Sequence, residues 1–110
     1  MSKVKTMIVS TAKVVGKPEN RTEFLQTIRP LLQPIQSAKG CLLFGIYVDA
    51  VDENTFLLLG EWESDSDLEN CRHSDDFAVL RGAINVLGAQ SSEFKARVVS
   101  NGSNGNMSKR

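Results

Sequence analysis

The chain has 110 residues, and its 13 Lys and Arg residues balance 13 Asp and Glu residues, which gives a formal net charge of zero. This length favours one domain, and the balanced charge argues against a nucleic-acid-binding protein, which needs a basic face. No apolar run approaches the roughly 20 residues that span a membrane, and the N-terminal sequence lacks the continuous apolar stretch of a signal peptide. These features predict a cytoplasmic protein without a membrane segment.

The first part of the chain predicts a strand followed by a bent helix. Residues 3–15 are rich in Val, Ile and Thr, which is typical of a strand. Pro18 suits a helix N-terminus, and the apolar residues that follow recur at helical spacing, which predicts a helix over 18–37. Pro30 and Pro34 lie inside this pattern, and each should bend or end the helix because it removes an N–H donor.

The rest of the chain predicts a hairpin, two capped helices and a last strand. Gly40 is a natural helix stop, and the apolar runs "CLLFGIYVDA" and "TFLLLGEWE" flank the turn sequence "VDEN", which predicts a β-hairpin. Ser64 and Ser74 are favourable N-caps for a helix over about 65–72 and for a second helix after it. "SSEFKARVVS" predicts the fourth strand, and the polar residues 101–110 predict a disordered tail.

The order β-α-β-β-α-β predicts an α+β, ferredoxin-like fold for residues 1–100, with helices on one face of a four-stranded antiparallel sheet. The other face should be polar if it meets water. Instead, "MIV" in the first strand and "FLLL" in the third place apolar residues on both faces. A second copy of the chain is the simplest cover, so we expect a homodimer whose sheets pack face to face.

Several segments, taken in order, resemble the antibiotic biosynthesis monooxygenase superfamily over about residues 4–99. They are "GKPENRTEF", "KGCLLFGIYVD", "FLLLGEWES" and "DLENCRHSDDFAVL". The resemblance implies a dimeric α+β barrel. It also implies a monooxygenase that needs no cofactor and acts on quinols or other aromatic compounds, although other members degrade heme, isomerise small metabolites or have no established activity. The resemblance therefore indicates the fold more specifically than the reaction.

The sequence departs from the pattern of this superfamily at informative positions. The position of Cys71 is usually a histidine in the superfamily, and that of Asp76 is often a second histidine. By the same resemblance, the heme-degrading members have Trp at the position of Cys71 and His at the position of Arg81. Their strand-one asparagine is also missing from "MIVSTAK". Heme degradation by that route is therefore not expected.

One face of the last predicted helix carries an aromatic ring, a guanidinium group and an amide. Phe77, Arg81 and Asn85 recur at intervals of four residues, so they share that face. Together with Tyr47 on the second strand, they would form the wall of a pocket for a quinone-like ligand. The alternative is an amphipathic boundary stripe from which Arg81 extends to water.

Trp62, Cys71 and His73 each have a functional and a structural interpretation. Trp62 either lines a pocket for a flat aromatic ligand or anchors the core. Cys71 either lines that pocket, where relatives have histidine, or is a small buried residue. His73 is either a general base or a solvent-facing cap at the end of a helix.

Four acidic residues lie near the two predicted helix starts: Asp65, Asp67, Asp75 and Asp76. Carboxylates stabilise the first turn of a helix, because it is the positive end of the helix dipole. The one histidine has no second histidine or cysteine at ligand spacing, so the residues predict no metal site. The superfamily resemblance implies no cofactor.

Three functions remain open from the sequence. The first is a monooxygenase in which His73 is the base and Arg81 stabilises the substrate anion. The second is a dimeric module in which Tyr47, Trp62 and Phe77 bind a small aromatic ligand without turnover. The third is an interaction protein whose pocket is filled by its own side chains.

Overall fold

The computed structural model describes residues 4–101, with the side chains of all of these except residues 4, 5, 89, 90, 100 and 101. The predicted tail therefore lies, apart from Asn101, outside the described residues. A single turn of 3-10 helix, Pro18–Asn20, precedes the first α-helix. In chain order the other elements are β1 (Val4–Gly16), α1 (Arg21–Gln36), β2 (Cys41–Val48), β3 (Thr55–Trp62), α2 (Asp65–Arg72), α3 (Asp75–Leu87) and β4 (Gly88–Asn101).

The four strands form one antiparallel sheet with the spatial order β2-β3-β1-β4. This confirms the predicted α+β, ferredoxin-like arrangement, in which α2 and α3 together occupy the second helical position. β4 begins at Gly88, three residues before the predicted start at Ser91, because the extended backbone of Gly88 leads directly from α3 into the strand. Within residues 4–101, no helix has the length and apolar character needed to cross a membrane.

Alternate residues of each strand face either the helices or the opposite side of the sheet. On β3, Phe56, Leu58 and Trp62 are buried beneath the helices, whereas Leu57 points to the opposite side and is 36% exposed. The register of the four strands places further large apolar side chains on that opposite side, all of them exposed: Leu43, Tyr47, Phe94 and Val98. The sheet thus has two apolar faces, and the helices cover one of them.

Helix α1 continues through both of its prolines as far as Gln36. Phe24, Ile28, Leu31 and Ile35 form its buried stripe, at the spacing of one helix face. Pro30 and Pro34 lie on the exposed side, so the carbonyl groups that lose an N–H partner there can bind water. This explains why the two prolines do not end the helix.

The turn between α1 and β2 is held close to α2. Gly40 has a φ of 79°, a left-handed conformation that residues with a side chain rarely adopt. A Cβ atom at this position would lie 2.6 Å from the Cβ of Asp67 and closer still to its carboxylate. The backbone N–H of Asp67 in turn donates to the Ser64 hydroxyl, which donates back to the Asp67 carboxylate at 2.9 Å. The capped start of α2 therefore packs directly on this glycine.

Gly40→Ala is expected to lower the free energy of unfolding by about 2–4 kcal/mol, because it combines a left-handed backbone with a collision against Asp67. Urea denaturation followed by circular dichroism at one fixed protein concentration measures the change. Gly82→Ala is the matched control, since a Cβ atom at Gly82 in α3 meets nothing within 4 Å. That variant should be neutral or more stable by up to about 1 kcal/mol. Similar losses in both variants would contradict the explanation.

Candidate functional site

Small residues on the helix-facing side of the central strands leave a space between the sheet and the helices. On β1, the buried Ile8 and Val14 flank the smaller Ser10 and Ala12. A cavity of about 270 Å³ lies above these small residues, between the sheet and helices α2 and α3. Cavities for drug-sized ligands start at about 300 Å³, so this one suits a smaller molecule of one or two rings.

The cavity has a mostly apolar interior and a charged rim. Its apolar lining comes from both the sheet and the helices, and comprises Ala12, Phe44, Leu58, Leu68, Phe77, Leu80, Ile84 and, at the edge strand β4, Phe94. Three cationic and two anionic side chains also line it: Arg72, Arg81, Lys95, Glu69 and Glu93. An apolar cavity with a few polar groups at its edge is the usual form of a small-molecule site.

Ion pairs across the rim join α2 to the edge strand β4. Arg72 lies 3.3 Å from the Glu93 carboxylate, and Lys95 lies 2.7 Å from the Asp65 carboxylate. Glu69 lies 3.8 Å from both of these cations. All five side chains are about half exposed or slightly less, so each pair stabilises the fold by at most about 1 kcal/mol. Their main effect on the site is that Arg72 and Lys95 both have carboxylate partners.

Arg81 is the lining cation that takes no part in these ion pairs. Among the side chains that the structure describes, no carboxylate lies within 4 Å of its guanidinium group. One of its nitrogens donates to the carbonyl oxygen of Arg72 at 2.9 Å, and the group stacks over the Phe77 ring at 5.3 Å. A guanidinium group has five N–H donors, so most of them stay available. The arrangement holds a positive charge beside an aromatic ring in the cavity.

Ser10 and Trp62 form a polar contact behind the cavity. Trp62 is fully buried, and its indole Nε1 donates to the Ser10 hydroxyl at 3.3 Å. The two groups meet above Gly60, where an added Cβ atom would lie 2.6 Å from Nε1 and 2.8 Å from the hydroxyl oxygen. Glycine at position 60 is therefore what lets the indole ring lie across the sheet and reach Ser10, which lines the cavity.

The family model of antibiotic biosynthesis monooxygenase matches residues 7–83, which is most of the chain. This chain belongs to the antibiotic biosynthesis monooxygenase family. The matched range runs from β1 into α3, so it includes Ser10, Trp62, Phe77 and Arg81. The side chains that β4 contributes to the cavity rim lie beyond it.

Two relatives match only part of this chain, at moderate sequence identity. The protein named "Putative monooxygenase YcnE" of Bacillus subtilis is 33% identical over 60 residues, which are 54% of this chain and 63% of that protein. "Uncharacterized protein sll1783" of Synechocystis sp. is 27% identical over 62 residues, which are 56% of this chain and 42% of that protein. The chain therefore matches less than two thirds of the length of either relative.

Solved structures share the fold of the whole domain. PA3566 from Pseudomonas aeruginosa aligns with a TM-score of 0.78 at 19% identity, over 87% of this chain and 97% of that chain. A conserved protein of unknown function from Bacteroides thetaiotaomicron aligns with a TM-score of 0.79 at 18% identity, over 86% of this chain and 99% of that chain. At these identities the likeness shows the fold alone.

The structure brings Phe77 and Arg81 together at the cavity but leaves Asn85 exposed outside its lining. An α-helix advances 100° per residue. Asn85 therefore lies about 80° around the helix from Phe77, whereas Ile84 lies only about 20° from it and takes the place in the cavity wall. Tyr47 lies on the opposite face of the sheet, about half exposed, because its register partner on β3 is Leu57.

His73 and Cys71 also lie outside the lining of this cavity. His73 is exposed at the C-terminal cap of α2, and its Nδ1 lies 2.7 Å from the carbonyl oxygen of Glu69, to which it donates when protonated. Cys71 and Asp76, the positions where the resemblance implies histidine, line a second depression together with Ile35 of α1. Among the described residues, no group of three or more His, Cys, Asp or Glu side chains could hold a metal ion.

The Cys71 thiol is expected to react slowly with iodoacetamide in the folded protein. Burial raises its pKa above the ordinary value, and the hydrogen bond with Ser74 opposes this only in part. Since the thiolate is the reactive form, alkylation at neutral pH should be about tenfold slower or more than after unfolding in urea. Mass spectrometry of both states measures the two rates, and Cys41→Ser isolates Cys71. Fast alkylation of the folded protein would contradict the buried placement.

Ser10 and the rim residues other than Arg81 were not among the residues predicted from the sequence. The sequence did carry one signal for Ser10. It is a polar residue at a helix-facing position of β1, where its neighbours on that face are apolar. On β4, Glu93 and Lys95 are two positions apart, which places both charges on one side of the strand. Only the pairing of β4 with β1 shows that this side faces α2.

Proposed function

We propose that this protein is a cofactor-independent monooxygenase that binds a small aromatic or quinol-type substrate in the cavity between the sheet and helices α2 and α3. The observation that carries the proposal is an apolar cavity in which Arg81, a cation that no described carboxylate contacts within 4 Å, lies beside the ring of Phe77. Membership of the antibiotic biosynthesis monooxygenase family supports it. A cytoplasmic location is part of the proposal.

The proposed reaction begins with the anion of a bound phenol or quinol. A positive charge in an apolar site stabilises such an anion more strongly than water-exposed charge does. The electron-rich ring then reacts with dioxygen. In a reaction without a cofactor, the substrate supplies the electrons. One oxygen atom becomes a carbonyl group on a ring carbon that carried one hydrogen, and the other leaves as water with that hydrogen and the proton lost from the phenol hydroxyl group, so a phenol and dioxygen give a quinone and water.

Each residue in the proposal has one task. Arg81 stabilises the substrate anion, Phe77 stacks on the substrate ring, and Trp62 supports the cavity from behind. The proposal gives His73 no part in proton transfer, because its ring contacts the end of α2 and not the cavity. Glu69 and Glu93 are the carboxylates that line the cavity and could accept the substrate proton. Tyr47, Cys71 and Asn85 have no assigned contact with the substrate.

A binding module without turnover is the second candidate. The observation that favours it is that no imidazole lines the cavity, and that both lining carboxylates are within 4 Å of cations. In this case the same ring and the same cation would hold an aromatic anion that is released unchanged.

Oxygen uptake distinguishes the two candidates. Purified protein is mixed with a panel of hydroquinones and one- or two-ring phenols, without any added cofactor, and oxygen is followed with an electrode. Uptake above the autoxidation rate, with products that contain one atom of labelled oxygen, is the result expected for the monooxygenase. Quenching of Trp62 fluorescence by the same compounds without uptake would instead support the binding module.

We also propose that a second copy of the chain covers the open face of the sheet. This face exposes Leu43, Tyr47, Leu57, Phe94 and Val98 around the centre of the sheet. Five large exposed apolar side chains on one face of a sheet indicate an interaction surface. A two-fold axis would pair the patch with itself, as closed homodimers require.

Leu57→Lys is expected to convert the homodimer to a monomer, because it places a charge at the centre of the open face next to Lys13, its register partner on β1. Sedimentation velocity at several protein concentrations measures the change. Val86→Lys is the matched control, since Val86 is 73% exposed on the helical side of the molecule. That variant should keep the mass of the wild type. A monomeric wild type, or a dimeric Leu57→Lys variant, would contradict the proposed interface.

A further inference from the structure

We propose that Ser10 is a binding residue of the cavity, and that its hydroxyl group donates a hydrogen bond to an oxygen anion of an aromatic ligand. The inference rests on the proposed function in one respect, namely that the cavity holds an aromatic oxyanion. It goes beyond that function by naming a second polar contact, on the sheet side of the cavity, opposite the helix that carries Arg81.

The direction of the Ser10 proton follows from the chemistry of its partner. An indole N–H can only donate, so the hydroxyl oxygen must accept from Trp62 with one of its lone pairs. The hydroxyl proton is then left for another acceptor. Among the described residues, the Ser10 hydroxyl makes no other hydrogen bond. Because Ser10 lines the cavity, a ligand oxygen is the acceptor that it can reach there.

The position of the hydroxyl group is held by its surroundings. Trp62 is fully buried and cannot swing away without opening the core. Gly60 leaves just enough room for the indole nitrogen and the hydroxyl oxygen to meet. A donor that is already oriented costs little to use, because its rotamer does not have to be frozen when the ligand binds.

The free charge of Arg81 makes an anion the matching ligand. Arg72 and Lys95, the other two lining cations, both pair with carboxylates, whereas no described carboxylate lies within 4 Å of Arg81. A flat ring between the sheet and α3 can therefore carry an oxygen anion toward Ser10 while it stays within the field of Arg81. The inferred ligand class is a phenolate or enolate of one or two rings.

Isothermal titration calorimetry with two probe ligands tests this role of Ser10. 4-Nitrophenol, at a pH where it is ionised, carries the oxygen anion, and nitrobenzene has the same ring without it. Ser10→Ala should weaken 4-nitrophenolate binding by about tenfold or more, since hydrogen bonds to charged groups have effects of this size. It should leave nitrobenzene binding unchanged. Ser37→Ala, at an exposed serine that caps the end of α1, is the matched control and should change neither.

Ser10→Cys covers the case in which Ser10→Ala does not fold because the indole N–H loses its acceptor. The thiol is almost the same shape and is a weak acceptor and a weak donor, so the fold should persist while 4-nitrophenolate binding weakens. Equal weakening for both ligands, unchanged 4-nitrophenolate binding, or no 4-nitrophenolate binding by the wild type at millimolar concentration would overturn the inference. Oxygen uptake is a separate measurement, so Ser10-dependent binding without uptake would end the monooxygenase proposal and keep this one.

Discussion

Replacing Arg81 with alanine is expected to slow oxygen uptake by about 100-fold with the best substrate of the quinol panel. The guanidinium group is the one lining cation that no described carboxylate contacts within 4 Å, so we propose that it stabilises the substrate anion. Losing one such preorganised donor typically costs two to three orders of magnitude, as in other active sites that stabilise an oxyanion. The rate at saturating substrate should fall more than the apparent affinity, because the anion develops during the reaction.

Two further variants separate this chemical role from a structural one. Arg81 also donates to the carbonyl oxygen of Arg72 at the end of α2, so Arg81→Ala removes a helix cap as well as a charge. Arg81→Lys keeps the charge and should recover part of the rate, although it loses the planar donor group. Arg29→Ala removes an exposed arginine of α1 and should leave uptake unchanged. A normal rate for Arg81→Ala, with the protein folded, would exclude Arg81 from the site.

Replacing Trp62 with alanine is expected to lower the free energy of unfolding by about 3–5 kcal/mol. The side chain is fully buried, at the end of β3 between the sheet and the helices. Its removal leaves a large void and takes the donor from the Ser10 hydroxyl. A loss of this size is a large share of the roughly 5–15 kcal/mol that stabilises a domain, so the variant should be marginal at room temperature.

Urea denaturation followed by far-ultraviolet circular dichroism measures this loss, because the variant has no tryptophan fluorescence. All proteins are compared at one concentration, since a dimer gains stability with concentration. Trp62→Phe keeps an aromatic ring and should lose less than the alanine variant. A loss below about 1 kcal/mol for Trp62→Ala would mean that the indole ring does not support the core.

The course of the chain through its fold was largely readable from the sequence. The serine caps at Ser64 and Ser74, the turn before Thr55 and the alternating strands are local signals, and each depends on residues close together along the chain. The helix boundaries 65–72 agree with the structure for this reason. The start of β4 at Gly88 was less visible, because Gly-Ala-Gln has no strand preference and is extended only through its pairing with β1.

The candidate site was also predictable from the sequence only where its residues are close together along the chain. Helical spacing was enough to place Phe77 and Arg81 on one face, because that relation is local to α3. Spacing could not show that Tyr47 lies on the other side of the sheet, since its side follows from the register between β2 and β3. It also could not show that the His73 ring contacts the carbonyl oxygen of Glu69, or that ion pairs join α2 to β4.

The sequence by itself determined the elements, their order and the two apolar faces of the sheet, because periodicity and capping act over a few residues. Only the tertiary structure decided where the cavity lies and which polar groups reach it. Ser10 shows the physical reason most clearly. Its partner Trp62 is 52 residues away along the chain, and the contact exists only because antiparallel pairing of β1 and β3 brings the two side chains together above Gly60.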